Sequence, residues 1–305
     1  MSDSVLAIQR RGLRRLAWAA DYLALTKPRI SAMVLVVVAV SAFVAGGGHC
    51  TGWALVHALL GTLLVAASAS AVNQLFERRS DGVMDRTSTR PLPAGRLSTL
   101  QVSVFAFWTV TVGAVYLAWA VNLSAAAWAI ATWLIYVAVY TPMKAWTAQN
   151  TAVGAVSGAL PVFIGVSTVG GSWNVLAQPS SLALFLVLFL WQFPHFMAIA
   201  WIYRRQYERA GLRMMTVVEP SGLRAGWHAV VAALLLLPVS WTPALFLPSQ
   251  ESIIYLLVAT VLGAVQLRFA ARFLLSRTDQ TARALLRVTL LYLPLLLVAL
   301  VIHTI

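Results

Sequence analysis

The sequence is poor in charge and almost free of cysteine. Only 10% of its 305 residues are charged, whereas soluble domains carry roughly 25% charged residues. The single cysteine, Cys50, excludes an internal disulfide and any CxxC metal site. Because hydrophobic residues make up 60% of the chain, the composition indicates an integral membrane protein.

Acidic residues are the scarcest charged class. Nine Asp and Glu stand against 22 Lys and Arg, which gives a formal net charge of +13. A nucleic-acid-binding protein would gather such an excess into one basic patch. Here the basic residues lie in short gaps between apolar runs, which is typical of the cytoplasmic loops of a membrane protein. The lipid bilayer, and no nucleic acid, is therefore the expected environment.

Long apolar runs make up most of the remaining sequence. Each run is close to the ~20 residues that an α-helix needs to cross a bilayer. We therefore predict an all-α integral membrane protein with nine transmembrane helices. They are placed near residues 30–46, 54–76, 100–121, 124–142, 150–169, 181–202, 227–247, 252–275 and 284–303.

The distribution of Lys and Arg predicts the orientation. All of them precede the first run, fall in alternate gaps or sit at the inner ends of the eighth and ninth runs. The positive-inside rule therefore places the N-terminus in the cytoplasm and the C-terminus outside. Residues 1–29 are expected to form a basic cytoplasmic segment, and residues 30–305 a multi-pass domain in the cell inner membrane. Two long charged loops, 77–98 and 203–223, are expected to cap a cavity that opens inward.

Polar residues follow the second apolar run at a regular spacing. Asn73, Glu77, Asp81 and Asp85 lie four residues apart, and such neighbours share one face of a helix. Like charges at this spacing repel each other, so a bridging cation is expected, and their hard oxygen atoms favour Mg²⁺. Arginines suited to binding phosphate oxygens flank them, namely Arg78, Arg79, Arg86, Arg90 and Arg96. The alternative is a solvated loop that only orients the protein.

One histidine lies deep inside an apolar run. His195 follows Pro194 and is close to Gln192, about two turns from the end of the sixth predicted helix. Ionisable groups at such depth are usually functional. His195 could ligate or orient heme, with Gln192 beside it, or it could be a neutral histidine that is hydrogen-bonded to a neighbouring helix.

Four segments resemble one known family. They are LTKPRI (25–30), NQLFERRSDGVMDRTSTRPLPAGRLS (73–98), KAWTAQNTAVGAVSGALPVFIG (144–165) and WQFPHFMAIAWIYRRQYERAGLRMM (191–215). In order and spacing they are similar to the protoheme IX farnesyltransferases, or heme O synthases, of the UbiA-type intramembrane prenyltransferases. The resemblance covers residues 22–303. The Asn-xxx-Glu-xxx-Asp core fits the whole superfamily, while residues 84–92 and WQFPHF point to the heme branch.

The resemblance implies both a fold and a reaction. The nine helices would surround a central cavity, and Mg²⁺ would assist the transfer of farnesyl from farnesyl diphosphate to a vinyl group of heme B. The product would be heme O, a precursor of heme A, and a heme A synthase would be the downstream partner. The first rival is a related prenyltransferase that acts on an aromatic quinone precursor. The second is a nine-helix transporter.

The resemblance also implies roles for individual residues. Asn73, Glu77 and Asp81 match the family's first metal–diphosphate motif, with Asp85 beside them. The expected diphosphate-binding residues are Lys27, Arg29, Arg86, Arg90, Lys144, Tyr203, Arg204 and Tyr207, and Asn150 matches a polar position at the start of the fifth helix. This chain departs from the family at Gln206, where Asp is common, and at Ala145-Trp146, where the basic run is shortened. We therefore expect the first motif to hold the metal almost alone.

Overall fold

The computed structural model describes residues 17–50, 52–170, 174–247 and 249–304. All regular secondary structure in these ranges is helical. The predicted basic segment 1–29 is described from Ala17 onward, and its first sixteen residues lie outside the described ranges.

The described chain forms fourteen α-helices, several of which are pieces of one span. They are α1 (17–25), α2 (Pro28–Ala45), α3 (Gly52–Val83), α4 (Thr99–Ala120), α5 (Leu123–Leu134), α6 (Thr141–Trp146), α7 (Asn150–Ala159), α8 (Pro161–Gly170), α9 (Pro179–Ile202), α10 (Arg204–Arg209), α11 (Met215–Val218), α12 (Leu223–Val239), α13 (Ser249–Ser276) and α14 (Asp279–Ile302). Nine helical segments of the described chain are long and apolar enough to cross a membrane. The prediction of an all-α, nine-span membrane protein is confirmed.

The nine spans form a closed bundle. Each span packs against the next along the chain, and α14 returns to contact α2. The fifth span, α7 with α8, is the most buried of the nine. Small residues allow helices to approach closely inside a membrane protein, and a Cβ on Gly165 of α8 would overlap the Val38 carbonyl of α2. The bundle therefore encloses the fifth span.

Helix α3 is longer than the apolar pattern predicts. It continues to Val83, whereas the predicted second span ended near residue 76, so the first cap loop begins at Met84 and not at residue 77. Past that end, the Thr87 hydroxyl donates to the backbone carbonyl of Asp81 at 2.9 Å. The extra turns carry Glu77 and Asp81 of the first motif on the same continuous helix as Asn73.

The fourth span changes helix type where it approaches the polar end of α3. Residues Ile135–Tyr140 form a π-helix between α5 and α6. Pro142 follows at once; a proline has no N–H and its ring clashes with the carbonyl four residues earlier. The wider turn accommodates it, because the Thr141 N–H bonds to the Tyr136 carbonyl, five residues back. Single π-turns of this kind often occur at functional sites.

The two cap loops pack on each other. Met84 of the first loop forms a small buried cluster with Tyr207, Leu212 and Met214 of the second loop. Helix α1 joins the same cap, since Arg96 Nε donates to Asp21 Oδ1 at 2.9 Å. These contacts close one end of the bundle over the polar end of α3.

Candidate active site

Three polar residues on α3 each contact a cationic side chain from another part of the chain. Lys27 Nζ donates to Asn73 Oδ1 at 2.5 Å. One turn later, Lys144 Nζ lies 2.6 Å from Glu77 Oε1. One further turn on, Arg90 Nη1 lies 2.6 Å from Asp81 Oδ2. Because Asn73, Glu77 and Asp81 are four residues apart, they lie along one face of α3, and each is paired with a cation. We call this row of three residues the stripe.

The stripe is largely shielded from solvent. The side chains of Asp81 and Glu77 are 1% and 12% exposed, and those of their partners Arg90 and Lys144 are 28% and 15% exposed. Buried ion pairs contribute little net stability, because desolvation offsets their attraction. Here the ion pairs position the cations, because each carboxylate holds a cation where an anionic ligand can reach it.

A hydrogen-bond chain sets the orientation of the Asn73 amide. The Thr141 hydroxyl donates its one hydrogen to the Tyr136 carbonyl at 2.8 Å. It must therefore accept from Asn73 Nδ2, which lies 3.1 Å away. This leaves Asn73 Oδ1 facing the Lys27 ammonium. The π-helix thereby decides which end of the amide meets the cation.

Lys27 stands at a strained break between α1 and α2. Its φ of 47° is left-handed, a region that costs a non-glycine residue on the order of 1 kcal/mol. The break is held by Gln74 Nε2, which donates to the Leu25 carbonyl at 2.9 Å. Burial of the ammonium lowers the pKa of Lys27 to about 7. A bound anion would restore the charged form.

The donor set fits a magnesium ion that arrives with its diphosphate. The described residues contain no group of three or more His, Cys, Asp or Glu that could hold a metal ion. Mg²⁺, however, commonly uses one or two carboxylates together with substrate phosphates and water. Asp81 Oδ1 is buried and has no hydrogen-bond partner among the described residues, so an acceptor oxygen is left over for a cation. Asn73, Glu77 and Asp81 are the residues that would hold it.

The second cap loop contributes aromatic rings rather than acids. The Arg86 guanidinium lies 4.5 Å from the centre of the Tyr203 ring, and its Nη2 is 3.4 Å from the Tyr207 hydroxyl. Tyr207 is buried, and burial raises the pKa of its phenol. Gln206 Oε1 is also buried without a hydrogen-bond partner in the described chain, at the position where the family often carries Asp.

Three residues predicted for the site lie apart from the three paired residues of α3, and two of them have other partners. Asp85 lies beyond the end of α3, so it does not share the face of Glu77 and Asp81; it forms an exposed pair with Arg209 at 3.0 Å. Arg204 pairs with Asp279 at 2.6 Å and stacks on Trp201. Arg29 is exposed on the first turn of α2. Their roles at the site remain predictions.

His195 and Gln192 both have partners inside the bundle. His195 Nδ1 lies 3.0 Å from the Thr289 hydroxyl of α14, and its ring stacks on Trp191 at 4.9 Å. Gln192 Nε2 donates to the Ala155 carbonyl of α7 at 3.0 Å, which joins the fifth and sixth spans. Contact of either side chain with heme remains a prediction.

The fourth span supplies two residues that sequence reasoning missed, Tyr140 and Thr141, beside the predicted Lys144 and Asn150. The Lys144 ammonium lies 4.4 Å from the centre of the Tyr140 ring, and Thr141 orients Asn73 as described above. The proline after Thr141 signals the irregular helix that places both residues. Asn150 closes the next turn, because its Nδ2 donates to the carbonyls of Thr147 and Arg213.

Comparisons with known proteins identify the family of the chain. The model of the UbiA prenyltransferase family matches residues 34–297. A protoheme IX farnesyltransferase of Rhodopirellula baltica is 42% identical over 278 residues, which cover 90% of this chain and 96% of that protein. Another, from Solibacter usitatus, is 38% identical and covers 90% of this chain and 96% of its own length.

Solved structures of low sequence identity share the fold. A structure of digeranylgeranylglyceryl phosphate synthase has a TM-score of 0.74 at 16% identity and covers 94% of this chain and 98% of its own. A UbiA homolog from Archaeoglobus fulgidus bound to GPP and Mg²⁺ has a TM-score of 0.66 at 17% identity and covers 92% of this chain and 99% of its own. The chain belongs to the UbiA prenyltransferase family, and within it groups with the protoheme IX farnesyltransferases.

Proposed function

We propose that the protein transfers the farnesyl group of farnesyl diphosphate to a vinyl group of heme B, giving heme O. One observation carries the proposal for the donor side: the stripe of Asn73, Glu77 and Asp81, each in contact with a cation. The acceptor is proposed from the relatives, which are named protoheme IX farnesyltransferases.

The stripe suits the departure of a diphosphate. An allylic diphosphate ionises only if the charge on its leaving group is neutralised. Bound Mg²⁺ would supply part of that neutralisation as a Lewis acid. Lys144 and Arg90 supply positive charge beside the stripe, and Lys27 adds to it when an anion binds. Arg86 can turn from the tyrosine rings toward a phosphate oxygen.

The aromatic rings suit the carbon half of the donor. The farnesyl cation is stabilised by the face of an aromatic ring, and Tyr136 and Tyr140 present two rings 5.4 Å apart beside Lys144. The cap over this end of the bundle limits the access of water, which would otherwise capture the cation. The electron-rich vinyl group then forms the new C–C bond without the help of a strong base.

The final step adds water to the acceptor. Bond formation moves the positive charge to the carbon next to the pyrrole ring. A water molecule attacks that carbon and loses a proton, which yields the hydroxyethylfarnesyl side chain. The site must therefore exclude water early and admit one molecule late.

We propose that α9 provides the heme side of the cavity. His195 Nε2 has no hydrogen-bond partner among the described residues, while Nδ1 is held by Thr289, an arrangement that fixes the ring as in many metal-ligating histidines. If Nε2 ligates the iron, His195→Ala shifts the Soret band of bound heme. An unchanged spectrum with normal heme affinity would assign His195 a purely structural role.

The proposed setting follows from the charge distribution. The protein would lie in the cell inner membrane with its N-terminus and both cap loops in the cytoplasm and its C-terminus outside. Heme O would pass to a heme A synthase.

Product analysis tests the proposal. Membranes that contain the protein are incubated with farnesyl diphosphate, Mg²⁺ and heme B, and the hemes are separated by chromatography. We expect a later-eluting heme whose mass has increased by one farnesyl group and one hydroxyl group. Prenylation of an aromatic quinone precursor, with heme B unchanged, would support the first rival reading. No product from either acceptor would contradict the enzyme assignment.

A further inference from the structure

A basic cavity lies next to the candidate active site. Its volume is about 430 Å³, and its lining includes Trp146, Gln149, Arg213, Val218, Arg224 and His228. None of these residues belongs to the metal–diphosphate stripe. The segment between α6 and α7 forms one wall, and α11 and the start of α12 form the other.

The cavity carries an excess of positive charge. Arg213 and Arg224 are exposed, and no residue of the cavity lining is acidic. Neither guanidinium forms a direct salt bridge or side-chain hydrogen bond among the described residues, although the charge of Arg224 acts on the nearby Glu219 carboxylate and helps to lower its pKa. The Glu219 carboxylate accepts hydrogen bonds from the backbone N–H groups of Ser221 and Arg224, within the same turn of the chain. The two arginines are therefore available to bind an anionic ligand.

The rest of the lining favours an anion with a flat apolar body. Trp146 is 71% exposed and Val218 is 50% exposed, so an indole face and an aliphatic side chain border the charged groups. Arginine forks match carboxylate geometry and form charge-assisted hydrogen bonds. The absence of acidic residues from the cavity lining distinguishes it from the stripe on α3, where carboxylates suit a metal-bound diphosphate.

The cavity shares its frame with the active site. The Arg213 N–H donates to the Lys144 carbonyl at 2.7 Å, and Asn150 Nδ2 donates to the Arg213 carbonyl at 3.2 Å. The segment that aims Lys144 at Glu77 thus also positions Arg213. A ligand held by Arg213 lies beside the segment that binds the diphosphate.

We infer that Arg213 and Arg224 bind the carboxylate groups of the acceptor, the propionates of heme, and so present the opposite, vinyl-bearing edge to the farnesyl donor. This inference rests on the proposed function. An anionic phospholipid headgroup would meet the same arginines, but the shared frame with Lys144 favours the substrate.

Heme binding with and without free carboxylates tests the inference. Heme B and its dimethyl ester are titrated into detergent-solubilised protein and followed by absorption. We expect Arg213→Gln/Arg224→Gln to bind heme B about tenfold more weakly than wild type, the loss of roughly one charge-assisted hydrogen bond. Wild type should lose a similar factor with the ester, whereas the double variant should not distinguish acid from ester. Arg283→Gln, an exposed arginine outside the cavity, should behave as wild type.

Two results would overturn the inference. A double variant that prefers the acid over the ester as strongly as wild type does would remove the propionates from this cavity. If, in lipid nanodiscs, phosphatidylglycerol stabilises wild type but not the double variant while heme affinity is unchanged, the cavity binds a lipid headgroup. Because the titration measures binding, it decides the inference even if product analysis finds no heme O.

Discussion

The first and second polar segments of the chain are built differently. The first lies on the unbroken helix α3, so Asn73, Glu77 and Asp81 keep helical register as far as the cap. The second begins where α9 ends at Ile202. Tyr203 forms the break between α9 and the short helix α10, and Tyr207 lies within α10. The first segment presents carboxylates that are paired with cations, and the second presents phenol rings beneath the Arg86 guanidinium.

The difference assigns separate tasks to the two segments. Carboxylate oxygens bind a hard cation, while an amide such as that of Gln206 offers one neutral oxygen and is a weaker ligand. We therefore expect α3 to bind the metal ion and its diphosphate, and the second segment to close over the substrate. Substitutions in each segment separate these two tasks.

The largest effect is expected at Asp81. Asp81→Asn keeps the size of the side chain but removes the charge that pairs with Arg90 and the oxygen left for a metal. We expect heme O formation to fall at least about 100-fold, as when a preorganised electrostatic contact is lost. Chromatography of hemes from membranes with equal amounts of protein measures this. Retention of more than about a tenth of normal turnover would remove Asp81 from the mechanism.

A matched pair of glutamate variants compares the two segments directly. Glu77→Gln breaks the pair with Lys144 and should lower turnover by about tenfold or more. Glu208 lies on α10 and is exposed, so Glu208→Gln should change turnover less than about twofold, as most surface substitutions do. Equal damage from both variants would mean that the second segment also holds metal.

Thr141 tests the hydrogen-bond chain that orients Asn73. Thr141→Val keeps the shape but removes the acceptor for Asn73 Nδ2, whereas Thr141→Ser retains it. We expect Thr141→Val to raise the KM for farnesyl diphosphate about fivefold, the value of one hydrogen bond, with less change in kcat. Thr141→Ser should stay within about twofold of wild type. If the Ser variant is as impaired as the Val variant, the methyl group matters and the hydroxyl does not.

The smallest effect is expected at Gln206. Gln206→Asp restores a carboxylate where the family often has one, next to the buried tyrosine of the second segment. We expect it to be tolerated, or to lower the Mg²⁺ concentration for half-maximal activity by a few-fold. Turnover measured over a series of Mg²⁺ concentrations reports this. A severe loss would indicate that the Gln206 amide is itself required.

The sequence predicts the framework better than it predicts the contacts. Apolar length is sufficient to place nine spans, and the four-residue spacing is sufficient to place Asn73, Glu77 and Asp81 on one face. Asp85 was wrongly included in that face because the helix ends at Val83, where a Thr87 side chain caps a carbonyl. The contact between Thr87 and the Asp81 carbonyl belongs to the loop conformation and cannot be predicted from the four-residue spacing of the acidic residues.

Partners distant in sequence could not be read from local patterns. Arg204 is paired with Asp279, which lies 75 residues away. Lys144 meets Glu77 across 67 residues, and only the family resemblance suggested that both belong to one site. Pro142 is the one local signal in the sequence for an irregular helix at this point. The role of the π-helix in orienting Asn73 depends on the packing of α3 against the fourth span, which the local pattern does not show.

The central claim is that α3 joins the metal to the diphosphate. The direct test is calorimetric titration of farnesyl diphosphate, without heme, into wild type and Asp81→Asn at low and saturating Mg²⁺. Mg²⁺ should tighten binding to wild type by about tenfold or more and should leave binding to Asp81→Asn almost unchanged. A variant that gains as much affinity from Mg²⁺ as wild type does would contradict the claim.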